Sequence, residues 1–168
     1  GGLYYRALFP IYMLTQSWPL EGQLFALRVG SASFMLITVA AAYGIARTVY
    51  RNDTSRDRMI AWVAAACVAL QPMYAFISAS LNDDNLVTPF TALATLGVVR
   101  ALRSESSSRF GWRWWALAVS SAIGAVLTKR TGIAALGVLV AGLLALAVVW
   151  IRHGTRWQKI VSWILGLS

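Results

Sequence analysis

The chain has 168 residues, of which 58% are hydrophobic and 12% are charged, and its formal net charge is +9. Soluble domains hold about 45–50% apolar and about 25% charged residues, and a small globule cannot bury so large an apolar excess. The basic residues are not gathered on one face as in a nucleic-acid-binding domain but lie in hydrophilic links, so the sequence predicts an integral membrane protein and no nucleic-acid partner.

The first 28 residues differ from the rest because they mix aromatic residues with helix breakers. Arg6, Pro10 and Pro19 count against a first membrane span here, although that alternative stays open. We expect short amphipathic pieces lying on the outer membrane surface and ending at Arg28. The predicted organisation is therefore an outer-face interfacial segment, residues 1–28, followed by a transmembrane helical bundle, residues 29–168.

Apolar segments near the length of about 20 residues that a bilayer-spanning helix needs follow this stretch. Backbone groups cannot stay unpaired in lipid, so these segments must be helical. The fold class is therefore an all-α, polytopic integral membrane bundle with about five full spans and a truncated sixth. The predicted spans are residues 29–46, 59–81, 86–102, 112–128 and 132–151, with a partial span at 160–168.

Two local patterns within the spans predict details of packing. Gln71-Pro72 lies inside the second span and predicts a kink, because proline removes a helical hydrogen bond. Gly137 and Ala141 form a pair of small residues four apart, which indicates close approach of a neighbouring helix. Cys67 is the single cysteine and lies in an apolar run, so we expect neither a disulfide nor a cysteine metal site.

The distribution of Lys and Arg predicts the orientation of the spans. Eleven of these residues fall in three alternate links, 47–58, 100–113 and 152–159, and four fall elsewhere. Cytoplasmic links carry the excess of positive charge. We therefore expect a multi-pass protein of the plasma (inner) membrane, with its basic links in the cytoplasm and residues 82–85 and 129–131 facing outward.

Two short polar links share that outward side. One is Asn82-Asp83-Asp84-Asn85 and the other is Thr128-Lys129-Arg130-Thr131-Gly132. A carboxylate pair can bind a divalent metal ion or orient a hydroxyl nucleophile, and a Lys-Arg pair can hold a phosphate. The alternative is structural: the aspartates cap the next helix, and Lys129 and Arg130 extend toward the membrane interface.

Four stretches follow one another along nearly the whole chain: Gly2-Leu3-Tyr4-Tyr5 through Phe9-Pro10-Ile11-Tyr12, Leu27-Arg28-Val29-Gly30-Ser31, Gln71-Pro72 through Ser78-Ala79-Ser80-Leu81-Asn82-Asp83, and Leu127-Thr128-Lys129-Arg130-Thr131-Gly132. In this order they resemble the GT-C superfamily of polyprenyl-phosphate-dependent membrane glycosyltransferases, in particular its protein-mannosyltransferase-like and aminoarabinose-transferase-like branch.

The resemblance implies transfer of a sugar from a polyprenyl-phosphate donor to an acceptor at the outer face of the lipid bilayer. It implies that the Asp83 region lines the active-site cavity and that Lys129, with Arg130, approaches the donor phosphate, while Arg28 lies near the same cavity. The predicted substrate-binding residues are Asn82, Asp83, Asp84, Lys129, Arg130 and Arg28. Asp83 and Asp84 are also the candidate metal ligands for a divalent ion.

One departure from the family pattern leaves the activity open. The first span and the catalytic acid of the first outer loop are not in this sequence, and Glu21 does not match the catalytic motif. No catalytic residue is therefore predicted within the chain, and the acid is expected upstream. We expect either a fragment or relative of such an enzyme, or a non-catalytic transmembrane subunit packed against membrane protein partners in a larger complex.

Overall fold

A computed structural model describes residues 2–50, 54–104 and 111–148, which form helices joined by short turns. The all-α fold class is confirmed for these residues. The helices are α1, Gly2–Thr15; α2, Leu20–Val49; α3, Ser55–Ala69; α4, Pro72–Ser78; α5, Asp84–Arg103; and α6, Gly111–Thr128. A 3-10 turn, Arg130–Ile133, then leads into helix α7, described from residue 134 to residue 148. The predicted partial span at 160–168 lies outside the described residues.

The N-terminal stretch is organised differently from the predicted short pieces. Residues 2–15 form one helix that continues through Pro10, and α2 begins at Leu20, nine residues before the predicted start of the first span. Pro19 directly precedes α2, where a missing N–H costs no helical hydrogen bond. At 30 residues, α2 is about 45 Å long, which exceeds the roughly 30 Å hydrocarbon core.

The predicted kink at Gln71-Pro72 is confirmed as a break between α3 and α4. Helix α3 starts with a capping box, in which Thr54 Oγ1 accepts from the Asp57 N–H and the Thr54 N–H donates to Asp57 Oδ2. It ends at Ala69, and α4 restarts with Pro72 in its first turn, bent by 60° from α3. The break follows from proline, which starts a helix readily but disrupts a helix interior.

Three described helices are long and apolar enough to cross a membrane: α2, α5 and the segment Arg130–Val148. The bent pair α3 and α4 adds a fourth if it forms one span. These agree with four of the five predicted spans. Helix α6, which corresponds to the predicted span 112–128, has 18 residues but a lower mean hydropathy, because its first turns carry Arg113 and three tryptophans.

The packing register shows how the helices alternate in direction. Ser31, in the first half of α2, contacts Asn85 in the first turn of α5, and Val49, the last residue of α2, accepts from Arg103 at the end of α5. Both contacts join residues 54 positions apart. Helices α2 and α5 therefore run parallel. Helices α3 and α4 together therefore carry the chain back from the end of α2 to the start of α5.

Helices α5 and α6 pack antiparallel along a seam of small residues. A Cβ added to Gly97 would lie 2.9 Å from Ala118 Cβ, and one added to Gly124 would lie 2.9 Å from Phe90 Cζ. Ala94, Ala122, Ala125 and Ala135 form the buried cluster that joins α5, α6 and α7. Small residues allow this close backbone approach, which stabilises helix pairs in lipid.

The close packing predicted at Gly137 is wrong in the described part of the chain. Gly137 and Ala141 are exposed, and no atom of residues 2–50, 54–104 or 111–148 lies within 4 Å of a Cβ built on Gly137. The tight contacts of α7 are made instead by Gly142, which faces Val98 and Trp115. The prediction failed because small residues are common throughout α7. Which of them face inward depends on the position of the neighbouring helices.

Candidate functional site

The acidic link lies at the start of α5. Asp83 is the N-cap residue and Asp84 occupies the first turn, where the helix dipole favours negative charge. The Asp84 N–H donates to Asn82 Oδ1 at 3.2 Å, which closes a local turn before the helix. The side chain of Asp83 makes no capping hydrogen bond, so simple helix capping does not account for both aspartates.

The basic link forms the turn between α6 and α7. Thr128 Oγ1 donates to the Gly124 carbonyl at 2.7 Å within the last turn of α6, and the Lys129 N–H donates to the Ala125 carbonyl at 3.2 Å. Lys129 itself adopts an extended backbone conformation, with φ −156° and ψ 150°. Gly132 is buried against the backbone of Ala125, where a Cβ would overlap the carbonyl, so the turn requires glycine at this position.

The two links meet through one ion pair. Lys129 Nζ lies 2.9 Å from Asp84 Oδ1, although the residues are 45 positions apart in the chain. The two side chains are 36% and 37% exposed, so water reaches both groups. Such a pair contributes about 0–1 kcal/mol to stability. The pair therefore marks where the α6–α7 turn lies beside the start of α5, and it contributes little to the stability of that contact.

Two other predicted cations are not brought into contact with the aspartates. Arg130 follows Lys129 but is exposed, and Arg28 is exposed on α2. Within the described ranges, neither arginine has a hydrogen-bond or ion-pair partner. Of the predicted substrate-binding residues, the structure therefore gathers Asn82, Asp83, Asp84 and Lys129, and it leaves Arg130 and Arg28 available at the surface.

A buried hydrogen-bond network lies directly behind the acidic link. Asn85 and Tyr4 are fully buried, as is Ser31. Asn85 Nδ2 donates to Ser31 Oγ at 2.7 Å and to the Ser80 carbonyl at 2.6 Å, and Ser31 Oγ lies 2.7 Å from the Tyr4 hydroxyl. We call Tyr4, Ser31 and Asn85 the buried triad. It joins α1, α2 and α5 at one point.

The environment of Tyr4 connects this triad to the acidic link. Burial raises the pKa of the Tyr4 hydroxyl above its ordinary 10.0, the hydrogen bond with Ser31 opposes that rise, and the nearby charge of Asp83 adds to it. Sequence reasoning gave no role to any member of the triad. The available signal was a polar residue, Asn85, at the start of an apolar segment. The structure places it on the inward face of α5, one helical turn from the buried Pro89.

The described residues do not by themselves complete a divalent cation site. No group of three or more His, Cys, Asp or Glu side chains comes together among residues 2–50, 54–104 and 111–148. The charge of Asp84 is already balanced by Lys129, and a hard cation such as Ca²⁺ takes six to eight oxygen ligands. The role of Asp83 and Asp84 as metal ligands stays a prediction that needs ligands from elsewhere.

Comparison with known proteins identifies the family. The sequence profile of dolichyl-phosphate-mannose-protein mannosyltransferases matches residues 5–167. No curated protein matches the chain, and no solved structure matches it. The matching family is part of the GT-C superfamily, so the resemblance found in the motifs is confirmed. Because the match includes both polar links and nearly every helix, the chain belongs to the dolichyl-phosphate-mannose-protein mannosyltransferase family.

Proposed function

We propose that this chain forms the donor-phosphate side of a membrane glycosyltransferase that transfers a sugar from a polyprenyl-phosphate donor to an acceptor at the outer face of the membrane. The observation that carries this proposal is the contact between Lys129 and Asp84, which joins the two polar links at one end of the bundle. Family membership supports a membrane setting and a lipid-linked sugar donor.

The charges around the pair suit a phosphate. The ammonium of Lys129 is compensated by Asp84, whereas Arg130 is exposed and has no partner among the described residues. Arginine can donate two parallel hydrogen bonds to phosphate oxygens. In this arrangement Asp84 fixes the position of Lys129, Arg130 binds the phosphate, and both cations stabilise the negative charge that grows on the departing phosphate.

The acceptor side of the reaction requires a general base, which this proposal assigns to an acid outside the chain. Asp83 and Asn82 lie at the start of α5 next to the ion pair and would orient the acceptor hydroxyl through hydrogen bonds. Arg28 would approach the same substrate cavity from α2. These residues would bind and orient the substrate, and none of them replaces the catalytic acid.

The test is a transfer assay on the full-length protein in liposomes that contain a polyprenyl-phosphate sugar. Arg130→Ala and Lys129→Ala should each lower kcat/KM for the donor by about 10- to 100-fold, since a hydrogen bond to a charged group contributes about 1.5–3 kcal/mol. Arg103→Ala is the matched control, because Arg103 contacts the Val49 carbonyl at the opposite end of α5.

An unchanged kcat/KM for the donor in both variants would show that Lys129 and Arg130 do not bind the donor phosphate. Absence of any transfer by the intact protein, together with stoichiometric copurification of another membrane protein, would contradict the proposal as a whole. That result would instead support a non-catalytic transmembrane subunit.

A further inference from the structure

The buried triad is more elaborate than helix packing alone requires. Hydrogen bonds between transmembrane helices contribute only about 0.6 kcal/mol on average, whereas a buried polar group that loses its partner costs about 1–3 kcal/mol. An apolar contact at this point would join the helices without that risk. The triad instead places a fully buried amide, Asn85, immediately after Asp84 in the first turn of α5.

The contacts of Asn85 fix the turn that carries Asp84. Its Nδ2 group donates toward Ser31 Oγ and the carbonyls of Ser80 and Ser78, at 2.7, 2.6 and 3.3 Å. Its Oδ1 atom is buried and has no hydrogen-bond partner among the described residues. The amide is therefore held through its donor side alone, by α2 and by the segment that leads from α4 into α5.

We propose that Asn85 is a positioning residue. By anchoring the first turn of α5 to Ser31, it determines how far Asp84 extends toward Lys129. It thereby determines where Lys129 and Arg130 lie in the donor-phosphate site. The catalytic part of this statement rests on the proposed function. The geometric part does not, because it concerns only the ion pair. Tyr4 supports the anchor from α1 through its 2.7 Å contact with Ser31.

The lysine content of the chain provides a direct readout. The sequence contains two lysines, Lys129 and Lys159, so the rate at which an amine-reactive reagent labels Lys129 can be measured by mass spectrometry with Lys159 as the internal reference. The Asp84→Asn variant provides the labelling rate of a Lys129 side chain that has lost its ion-pair partner. We expect that rate to be about threefold above wild type, the change in population that a part-exposed ion pair of ordinary strength supports.

Two variants test the anchor in the full-length protein. Asn85→Leu keeps the approximate size of the side chain, removes its donors and adds no charge, and Ser31→Ala removes the acceptor while leaving Asn85 in place. Both should raise Lys129 labelling toward the Asp84→Asn rate without changing Lys159. Ser121→Ala is the matched control, since Ser121 is also a buried helix serine but lies in α6.

Wild-type labelling of Lys129 in both test variants would overturn the proposal. So would an equal rise in the Ser121→Ala variant or at Lys159, because either would indicate general loosening rather than positioning. If Asn85→Leu fails to fold, Ser31→Ala decides the question by itself. The labelling needs no turnover, so an inactive wild-type protein would refute the proposed transfer while leaving the positioning result intact.

Discussion

Gly97 in α5 faces Ala118 in α6 so closely that a Cβ on Gly97 would lie 2.8 Å from the Ala118 backbone nitrogen. That distance is shorter than a Cβ atom normally approaches the backbone of a neighbouring helix. The obstructing atom belongs to the backbone of α6, so it cannot rotate away. The approach of α5 and α6 therefore depends on the absence of a single side chain. Since these two helices carry the two polar links at one end, the same contact also determines the separation of the links.

The first prediction concerns this contact. Gly97→Ala should destabilise the protein by about 1–3 kcal/mol, the usual cost of inserting a group into a packed interface. Gly137→Ala, where no described residue lies within 4 Å of the new Cβ, should be neutral or stabilise by up to about 1 kcal/mol through helix propensity. Thermal unfolding of both variants in the same detergent measures the difference, and shifts of equal sign and size would contradict the packing.

The second prediction concerns the strength of the Asp84–Lys129 pair. In a double-mutant cycle with Asp84→Asn and Lys129→Gln, the coupling free energy should be about 0.2–1 kcal/mol and should fall as salt is added, because both groups are partly exposed. Denaturant unfolding provides the free energies. Asp84→Asn combined with Arg130→Gln is the control cycle, and coupling of equal size there would show that the effect is not specific to Lys129.

The third prediction concerns the crossing made by α3 and α4. In a Cys67→Ser background, single cysteines at Ser55 and Ala79, both exposed in the structure, should react with a membrane-impermeant maleimide from opposite sides of the membrane. The proposed orientation makes Ala79→Cys the outer site. Labelling of both positions from one side would establish a re-entrant loop in place of a broken span.

The fourth prediction concerns the pH dependence that Tyr4 contributes. Its pKa is raised in the fold from an ordinary value of 10.0, so above pH 10 the folded state retains a proton that the unfolded state loses. The contribution of Tyr4 to stability is then complete below pH 10 and is lost as pH rises through the raised pKa. The unfolding free energy of Tyr4→Phe should decline less steeply than that of wild type as the pH rises above 10; parallel curves would refute this role.

The sequence allowed the helical bundle and the break between α3 and α4 to be predicted for physical reasons. Long apolar segments must form helices in lipid, and Gln71-Pro72 provides a local reason for a break that needs no tertiary context. The fourth predicted span was harder to judge. Its start is marked by Trp112, Arg113 and Trp114, residues typical of a membrane interface, which lower the hydropathy of a helix that still packs along α5.

The triad and the true close contacts could not be predicted in the same way. Ser31 and Asn85 are 54 residues apart, and which of the many small or polar residues face each other depends on the register between helices. Asp84 and Lys129 were predicted to lie on one side of the membrane, but their pairing, and the separation of Arg130 from it, emerged from the turn after α6.

The partners of Asn85 have one further consequence, for the order in which the protein assembles during synthesis. Ser31, Ser78 and Ser80 all precede Asn85 in the chain, so every group that satisfies its buried donors has already left the ribosome when α5 enters the bilayer. Lys129, in contrast, is synthesised 45 residues after Asp84. The start of α5 can thus be anchored before Lys129 is synthesised. The turn between α6 and α7, which carries Lys129, then packs against a surface that has already formed.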